Sequence, residues 1–158
     1  MNNIISLTGH KNSGKLSVEF DLAKNSAIEY VKPYTDRPSN EIWDDCYYFV
    51  SKGELDELIC EKEVLYQTMV NGYRYVFFKD QLTADYNILI LDDYGVAELQ
   101  SKYRKYLYSV KVVSKKQRDS DRVGVYLYNH EFDEVFDYDT DDITDLEYRI
   151  ESNFMWRE

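Results

Sequence analysis

Short apolar runs recur along the chain, and polar or turn-forming residues bound each of them. Runs of this kind are typical of buried strands, which pack apolar side chains against neighbouring layers. The runs that predict strands cover residues 3–8, 27–32, 47–50, 86–91, 106–113 and 134–138.

The segments between the apolar runs predict helices. Residues 13–24 form an amphipathic pattern, and its apolar face carries Leu16, Phe20 and Ala23, flanked by Val18 and Leu22. An apolar face of this kind is expected to pack against the core.

Three further helices are predicted, and two of them show start signals. Ser51 is a predicted N-cap, and Glu54 three residues later completes a capping box. Residues 94–105 predict the next helix, and Thr140 or Asp141 is expected to begin a C-terminal helix that runs through Ile150.

A hairpin interrupts the alternation of strands and helices. Two strand-like runs within 64–78 flank Asn71–Gly72, a strong turn signal. Residues 33–45 contain both prolines of the chain and predict a loop. Strands that alternate with helices favour an α/β fold with a largely parallel sheet, and the hairpin region is expected to be an antiparallel insertion in it.

Composition limits the class of protein. The 158 residues are enough for one domain, and 44% of them are hydrophobic, which excludes a disordered or collagen-like chain. No apolar run is long enough to span a membrane, and the first residues show no secretory pattern. A cytoplasmic location is therefore expected.

Charge is unevenly distributed. The net charge is −11, which argues against bulk nucleic-acid or anionic-membrane binding. Residues 102–122, however, contain eight Lys or Arg against two Asp, and residues 131–151 contain ten carboxylates against one Arg. The basic segment is either a solvated surface or a segment that meets a polyanionic ligand at one place.

A phosphate-binding loop is predicted between the first strand and the first helix. The segment GHKNSGK at 9–15 matches G-x-x-x-x-G-K in the strand-then-helix context that this motif requires. Backbone N–H groups and the helix N-terminus favour a phosphate there, and Lys15 adds a full positive charge. A glycine-rich turn that binds nothing is the alternative. The predicted ATP-binding residues are Gly9, Asn12, Ser13, Gly14, Lys15, Leu16 and Ser17.

Further segments carry motifs in a fixed order. They read YTDRPSNE at 34–41 with YYFVS at 47–51, GYRYV at 72–76, ILDDYG at 90–95, and FDEVFDYD at 132–139. Together with the loop, they resemble the guanylate kinase family of nucleoside monophosphate kinases over nearly the whole chain. The loop also resembles that of phage deoxynucleoside monophosphate kinases.

The resemblance implies a single guanylate kinase-like domain over residues 1–158 with the three-layer fold of P-loop NTPases. Its core would be 1–32 and 79–158, with a mainly parallel central sheet. A small strand-rich region at 33–78 would bind the nucleoside monophosphate, and a short basic lid at 114–122 would cover ATP.

The resemblance also implies roles for individual residues. Arg37, Tyr47 and Tyr75 match contacts to the acceptor phosphate, and Asp92 matches a carboxylate that recognises guanine. The implied catalytic residues are Lys15 and the lid arginines Arg118 and Arg122.

Several positions depart from the family pattern. Two residues are missing after Pro38, which removes a second phosphate-binding arginine. Tyr66 stands where the family has a guanine-reading Glu. Leu16 and Ile90 stand where the family has residues that position Mg²⁺, so that the resemblance implies ATP as cofactor while the usual Mg²⁺-positioning groups are replaced.

Two classes of function follow from the resemblance. One is ATP-dependent phosphorylation of a nucleoside or deoxynucleoside monophosphate. The other is a binding module that has lost catalysis and recognises a nucleotide or a protein partner. A third, weaker alternative is a phosphate-sensing or inhibitory protein that keeps nucleotide binding only. Small nucleotides are the expected partners, with a homodimer or a protein partner as further options.

Overall fold

The structure is a computed structural model that describes residues 1–10, 13–39, 45–115 and 129–156. The chain divides into two compact units. Residues 1–30 and 84–158 form the first, called the core unit below, and residues 31–83 form the second, called the inserted unit. None of the helices in the described ranges is long and apolar enough to cross a membrane.

Strands and helices alternate along most of the chain. The strands are β1 (Asn3–Thr8), β2 (Ile28–Tyr30), β3 (Tyr34–Thr35), β4 (Tyr48–Phe49), β5 (Val64–Val70), β6 (Tyr73–Phe78), β7 (Tyr86–Ile90), β8 (Leu107–Val113) and β9 (Glu134–Asp137). The helices are α1 (Lys15–Leu22), α2 (Lys52–Glu61), α3 (Asp93–Tyr103) and α4 (Ile143–Ile150).

The core unit contains a five-stranded sheet in the order β2-β7-β1-β8-β9. Every neighbouring pair in it is parallel. β1 lies at the centre and is buried along nearly its whole length, as expected for a strand covered on both faces. The predicted α/β fold with a mainly parallel sheet is therefore confirmed.

Helix α1 presents a different face to the core than its sequence suggested. Val18 and Leu22 are buried and join a core cluster with side chains of β1 and α4, whereas Leu16 and Phe20 are exposed. The prediction of a buried Leu16–Phe20 face was wrong. Both pairs are four residues apart, so helical periodicity alone does not distinguish between them.

The inserted unit contains a four-stranded sheet in the order β4-β3-β6-β5. The predicted hairpin is confirmed: β5 and β6 are antiparallel, and Asn71 and Gly72 both have positive φ, as a type I′ turn requires. The sheet as a whole is mixed, because β3 pairs in parallel with β4. β3 falls in the segment predicted to be a loop, and two residues are too few to produce a periodic pattern.

Helix starts follow local capping. The Ser51 side chain accepts a hydrogen bond from the N–H of Glu54, which confirms the predicted N-cap, and Leu55 packs in a cluster with Val76 and Phe78. The other half of the predicted capping box, a bond from the Ser51 N–H to the Glu54 side chain, is not formed between these two described residues. Helix α4 begins slightly later than predicted, because the Asp142 side chain, and not that of Thr140 or Asp141, accepts from the N–H of Thr144.

Candidate nucleotide-binding site

The glycine-containing loop lies where the motif requires, between the end of β1 and the start of α1. Gly14 has φ +95°, and a Cβ atom there would lie 2.5 Å from ring carbons of Tyr138. A Cβ atom on Gly9 would lie 2.7 Å from the Val112 carbonyl oxygen. Neither position accepts a side chain without movement of its neighbours, so both glycines are needed for this loop geometry.

Lys15 folds back across the loop. Its ammonium Nζ donates a hydrogen bond to the Gly9 carbonyl at 2.6 Å, and burial lowers the pKa of Lys15 below its usual value. The Ser13 N–H donates to the His10 carbonyl at 3.0 Å, which closes the turn. Asn12, predicted to be part of the same site, lies outside the described residues.

The Mg²⁺ site that the family resemblance implies depends on the two residues after Lys15 and on the last residue of β7. Leu16 and Ser17 are exposed, and Ile90 packs against the core cluster. The hydrocarbon side chains of Leu16 and Ile90 offer no oxygen ligand to Mg²⁺, which prefers oxygen. These two positions therefore do not fit the metal site that the family resemblance implies.

Asp92 lies just beyond the carboxyl end of β7, the edge at which open parallel sheets bind ligands. Its Oδ1 accepts a hydrogen bond from the Gly95 N–H at 2.7 Å and so caps helix α3. Asp92 also lines a cavity of about 200 Å³ with residues of the loop, including Gly9 and His10. The structure thus places Asp92 beside the predicted phosphate loop.

Three residues predicted to contact the acceptor phosphate lie together in the inserted unit. The Arg37 guanidinium carbon lies 5.3 Å from the centroid of the Tyr47 ring and 5.1 Å from that of Phe49. The Tyr47 and Tyr75 rings meet edge to face at 5.4 Å. Their roles remain predictions, but a cation held over aromatic rings in this way is a suitable anion-binding group.

Residues that no sequence motif indicated hold Arg37 in place. The Arg37 N–H donates to the Thr35 hydroxyl at 3.1 Å, and the neighbouring Asp36 carboxylate accepts from the Arg74 N–H at 2.9 Å and from its Nε at 3.0 Å. Arg74 also bonds Asp56 at 2.6 Å. The turn that carries Arg37 is thereby fastened to strand β6.

The predicted lid lies largely outside the described residues, and so do Arg118 and Arg122. Their assignment as catalytic groups stays a prediction. Lys111, which belongs to the same basic segment of the sequence but not to the lid, is described, and it is buried in β8 beside the loop. The only signal for it in the sequence is a lysine inside an otherwise apolar strand.

The parallel sheet, with a glycine-containing loop after its central strand, defines an α/β protein. The particular fold is that of guanylate kinase: the chain is similar to the crystal structure of guanylate kinase from Anaplasma phagocytophilum, with a TM-score of 0.69 and 20% sequence identity. The similarity covers 96% of this chain and 84% of that chain. No protein-family model and no curated protein matches the sequence.

This likeness confirms the guanylate kinase-like fold that the motifs suggested. At this level of identity it establishes a nucleotide kinase-like fold and does not carry over an activity.

Proposed function

We propose that this chain transfers the γ-phosphoryl group of ATP to a nucleoside or deoxynucleoside monophosphate. The observation that carries the proposal is the loop after β1, in which Gly14 adopts positive φ and the Lys15 ammonium is held over the Gly9 carbonyl. A phosphate that enters the loop offers a stronger acceptor than this carbonyl, because its oxygens carry negative charge and the attraction between opposite charges adds to the hydrogen bond. The loop therefore exchanges an internal contact for a ligand contact.

Lys15 and Arg37 are the described residues to which we assign the two phosphates. Lys15 would bind the transferred phosphate, and the charge of that phosphate favours the protonated amine and opposes the effect of burial on the Lys15 pKa. Arg37 would bind the acceptor phosphate. That phosphate is already a nucleophile, so positioning and electrostatics can account for catalysis without a side-chain base. The lid arginines Arg118 and Arg122 would complete the site.

Recognition of the base is assigned to Asp92. A carboxylate accepts hydrogen bonds but does not donate them, so it favours a base edge that carries N–H groups. Tyr66, where the family has a Glu, is buried in β5 and provides no second carboxylate. We therefore expect a modest preference for guanine, and a pyrimidine or deoxynucleotide acceptor is compatible with the site.

A coupled ADP-release assay tests the proposal directly. It contains ATP, Mg²⁺ and each common ribonucleoside and deoxyribonucleoside monophosphate in turn. We expect turnover with at least one acceptor and its loss in Lys15→Ala, while Lys24→Ala, an exposed lysine at the other end of α1, retains it. Absence of turnover with every acceptor would overturn the enzyme assignment.

A binding module is the second candidate, and the apolar side chains of Leu16 and Ile90 favour it. Phosphoryl transfer in P-loop enzymes relies on a metal ion to neutralise developing charge, and these positions supply no metal ligand. In that case the chain binds a nucleotide or a protein partner without turnover. The binding module is distinguished from the enzyme by two results together: no turnover of the wild type with any monophosphate, and loss of a bound partner in Arg37→Ala but not in the exposed control Lys52→Ala.

A further inference from the structure

A single lysine interrupts the buried strand β8. Lys111 is only 7% exposed, and its neighbours Val110 and Val112 belong to the core cluster on one face of the sheet. Because side chains alternate along a strand, Lys111 lies on the opposite face. In the register of the sheet it stands beside Thr8, the last residue of β1 before the phosphate loop.

The ammonium of Lys111 has no polar partner among the residues that the structure describes. Its Nζ lies 5.4 Å from the centroid of the Phe132 ring, and it forms no hydrogen bond or ion pair with any residue that the structure describes. A lysine side chain is seldom covered to this extent without a partner for its ammonium. The Phe132 ring supplies one favourable contact, and the Nζ atom itself is not among the buried polar atoms, so it remains open to a ligand in the cavity.

A buried hydroxyl nearby is also unsatisfied. Thr8 is 4% exposed, and its Oγ1 has no hydrogen-bond partner within the described ranges. Thr8 and Lys111 line the same cavity of about 200 Å³, which the loop residues Gly9 and His10 also border. A cation and a hydroxyl, both without partners, therefore lie together at the edge of the phosphate loop.

We propose that Lys111 and Thr8 bind a phosphate group of the nucleotide. In this arrangement the Lys111 ammonium takes the place of a metal ion, for which Leu16 and Ile90 provide no ligands. This inference rests on the proposed function of the same site. Anionic phosphate oxygens would accept hydrogen bonds from both groups at once, which satisfies the ammonium and the hydroxyl together.

Two carboxylates border the cavity, and their negative charge requires a cation beside any phosphate that binds there. Asp92 and Asp93 line it with Lys111, and a bare phosphate beside them would be repelled. A cation between phosphate and carboxylate groups removes that repulsion, and in many nucleotide sites a metal ion has this position. Here the ammonium can have the same electrostatic effect, so we expect nucleotide affinity to persist when Mg²⁺ is removed.

Calorimetry with ATP and with inorganic tripolyphosphate, each in Mg²⁺ and in EDTA, tests the inference. The variants are Lys111→Met, which keeps an unbranched chain of similar volume, Thr8→Val, and Lys102→Met as an exposed lysine control on α3. We expect Lys111→Met to weaken both ligands about tenfold or more, since each loses the same charged hydrogen bond, and Thr8→Val to weaken them several-fold. Lys102→Met should have no effect.

Thermal melting of the unliganded variants adds a second measurement. Because the Lys111 ammonium has no hydrogen bond or ion pair with a described residue, Lys111→Met should leave the melting temperature unchanged or raise it, while a structural lysine would give a lower one. Unchanged affinity in Lys111→Met, or loss of all wild-type binding in EDTA, would overturn the inference. If ATP binding depends on Lys15 but not on Lys111, only this inference fails. If the wild type binds neither ligand, the proposed function fails with it.

Discussion

Replacement of Arg74 by methionine should destabilise the inserted unit by about 3 kcal/mol. The side chain of Asp36 is only 8% exposed and that of Arg74 19%, so their ion pair is largely shielded from water. Breaking a buried pair typically costs about 3–5 kcal/mol, because the remaining charge has no partner. The lower end applies here, since Asp36 keeps the hydrogen bond from the backbone N–H of residue 74.

The second ion pair of Arg74 provides the matched control. Asp56 is 56% exposed, and exposed pairs contribute about 0–1 kcal/mol, so Asp56→Ala should have a small effect. Urea unfolding of both variants and the wild type measures the two losses. Similar losses for Arg74→Met and Asp56→Ala would refute the assignment of the stabilisation to the buried Asp36 pair.

The same pair predicts a pH dependence. Burial alone would raise the pKa of Asp36, but the hydrogen bonds and charge of Arg74 outweigh it and hold the pKa below the usual 3.8. The stabilisation is therefore complete above that value and is lost as the pH falls through the lower pKa of the folded state. The difference in unfolding free energy between wild type and Arg74→Met should narrow in acid. A constant difference would contradict this electrostatic origin.

Three further changes have defined outcomes. Gly14→Ala should lower stability by about 1–2 kcal/mol in thermal or urea unfolding, because φ is +95° and the new Cβ atom meets the Tyr138 ring; an unchanged stability would contradict the loop geometry. Burial raises the pKa of Tyr108 to about 12, so the folded state keeps a proton that the unfolded state loses above pH 10, and stability falls as the pH rises between these values. The phenolate titration curve of the wild type, after subtraction of the curve of Tyr108→Phe, should show one tyrosine that ionises with this raised pKa. Arg37→Ala should raise the KM of every monophosphate alike, whereas Asp92→Asn should change which base is preferred. The coupled ADP-release assay with each monophosphate in turn measures both effects.

Local signals predicted much of the fold. The Asn71–Gly72 turn and the Ser51 cap depend on residues adjacent in sequence, and both occur as expected. The central strand was equally clear, because a short run that is apolar along its length indicates burial on both faces. These features need no knowledge of the distant parts of the chain.

Features that depend on distant residues were not predictable in this way. Asp36 and Arg74 are 38 positions apart, and only the pairing of β3 with β6 brings them together. The choice between two faces of α1 was likewise made by packing against the sheet. Lys111 belongs to the basic segment at 102–122, for which a solvated surface was one of the two predictions. The pairing of β8 with β1 instead places Lys111 in the interior.

Calorimetric titration of ATP into wild type, Lys15→Ala and Lys24→Ala tests the central claim most directly, namely that the loop between β1 and α1 is a nucleotide-binding site. Lys15 carries the full charge within the loop, and a charged hydrogen bond contributes about 1.5–3 kcal/mol, so its removal should weaken ATP binding about tenfold or more. The exposed Lys24 should be replaceable without effect. Equal ATP affinity in wild type and Lys15→Ala would contradict the assignment.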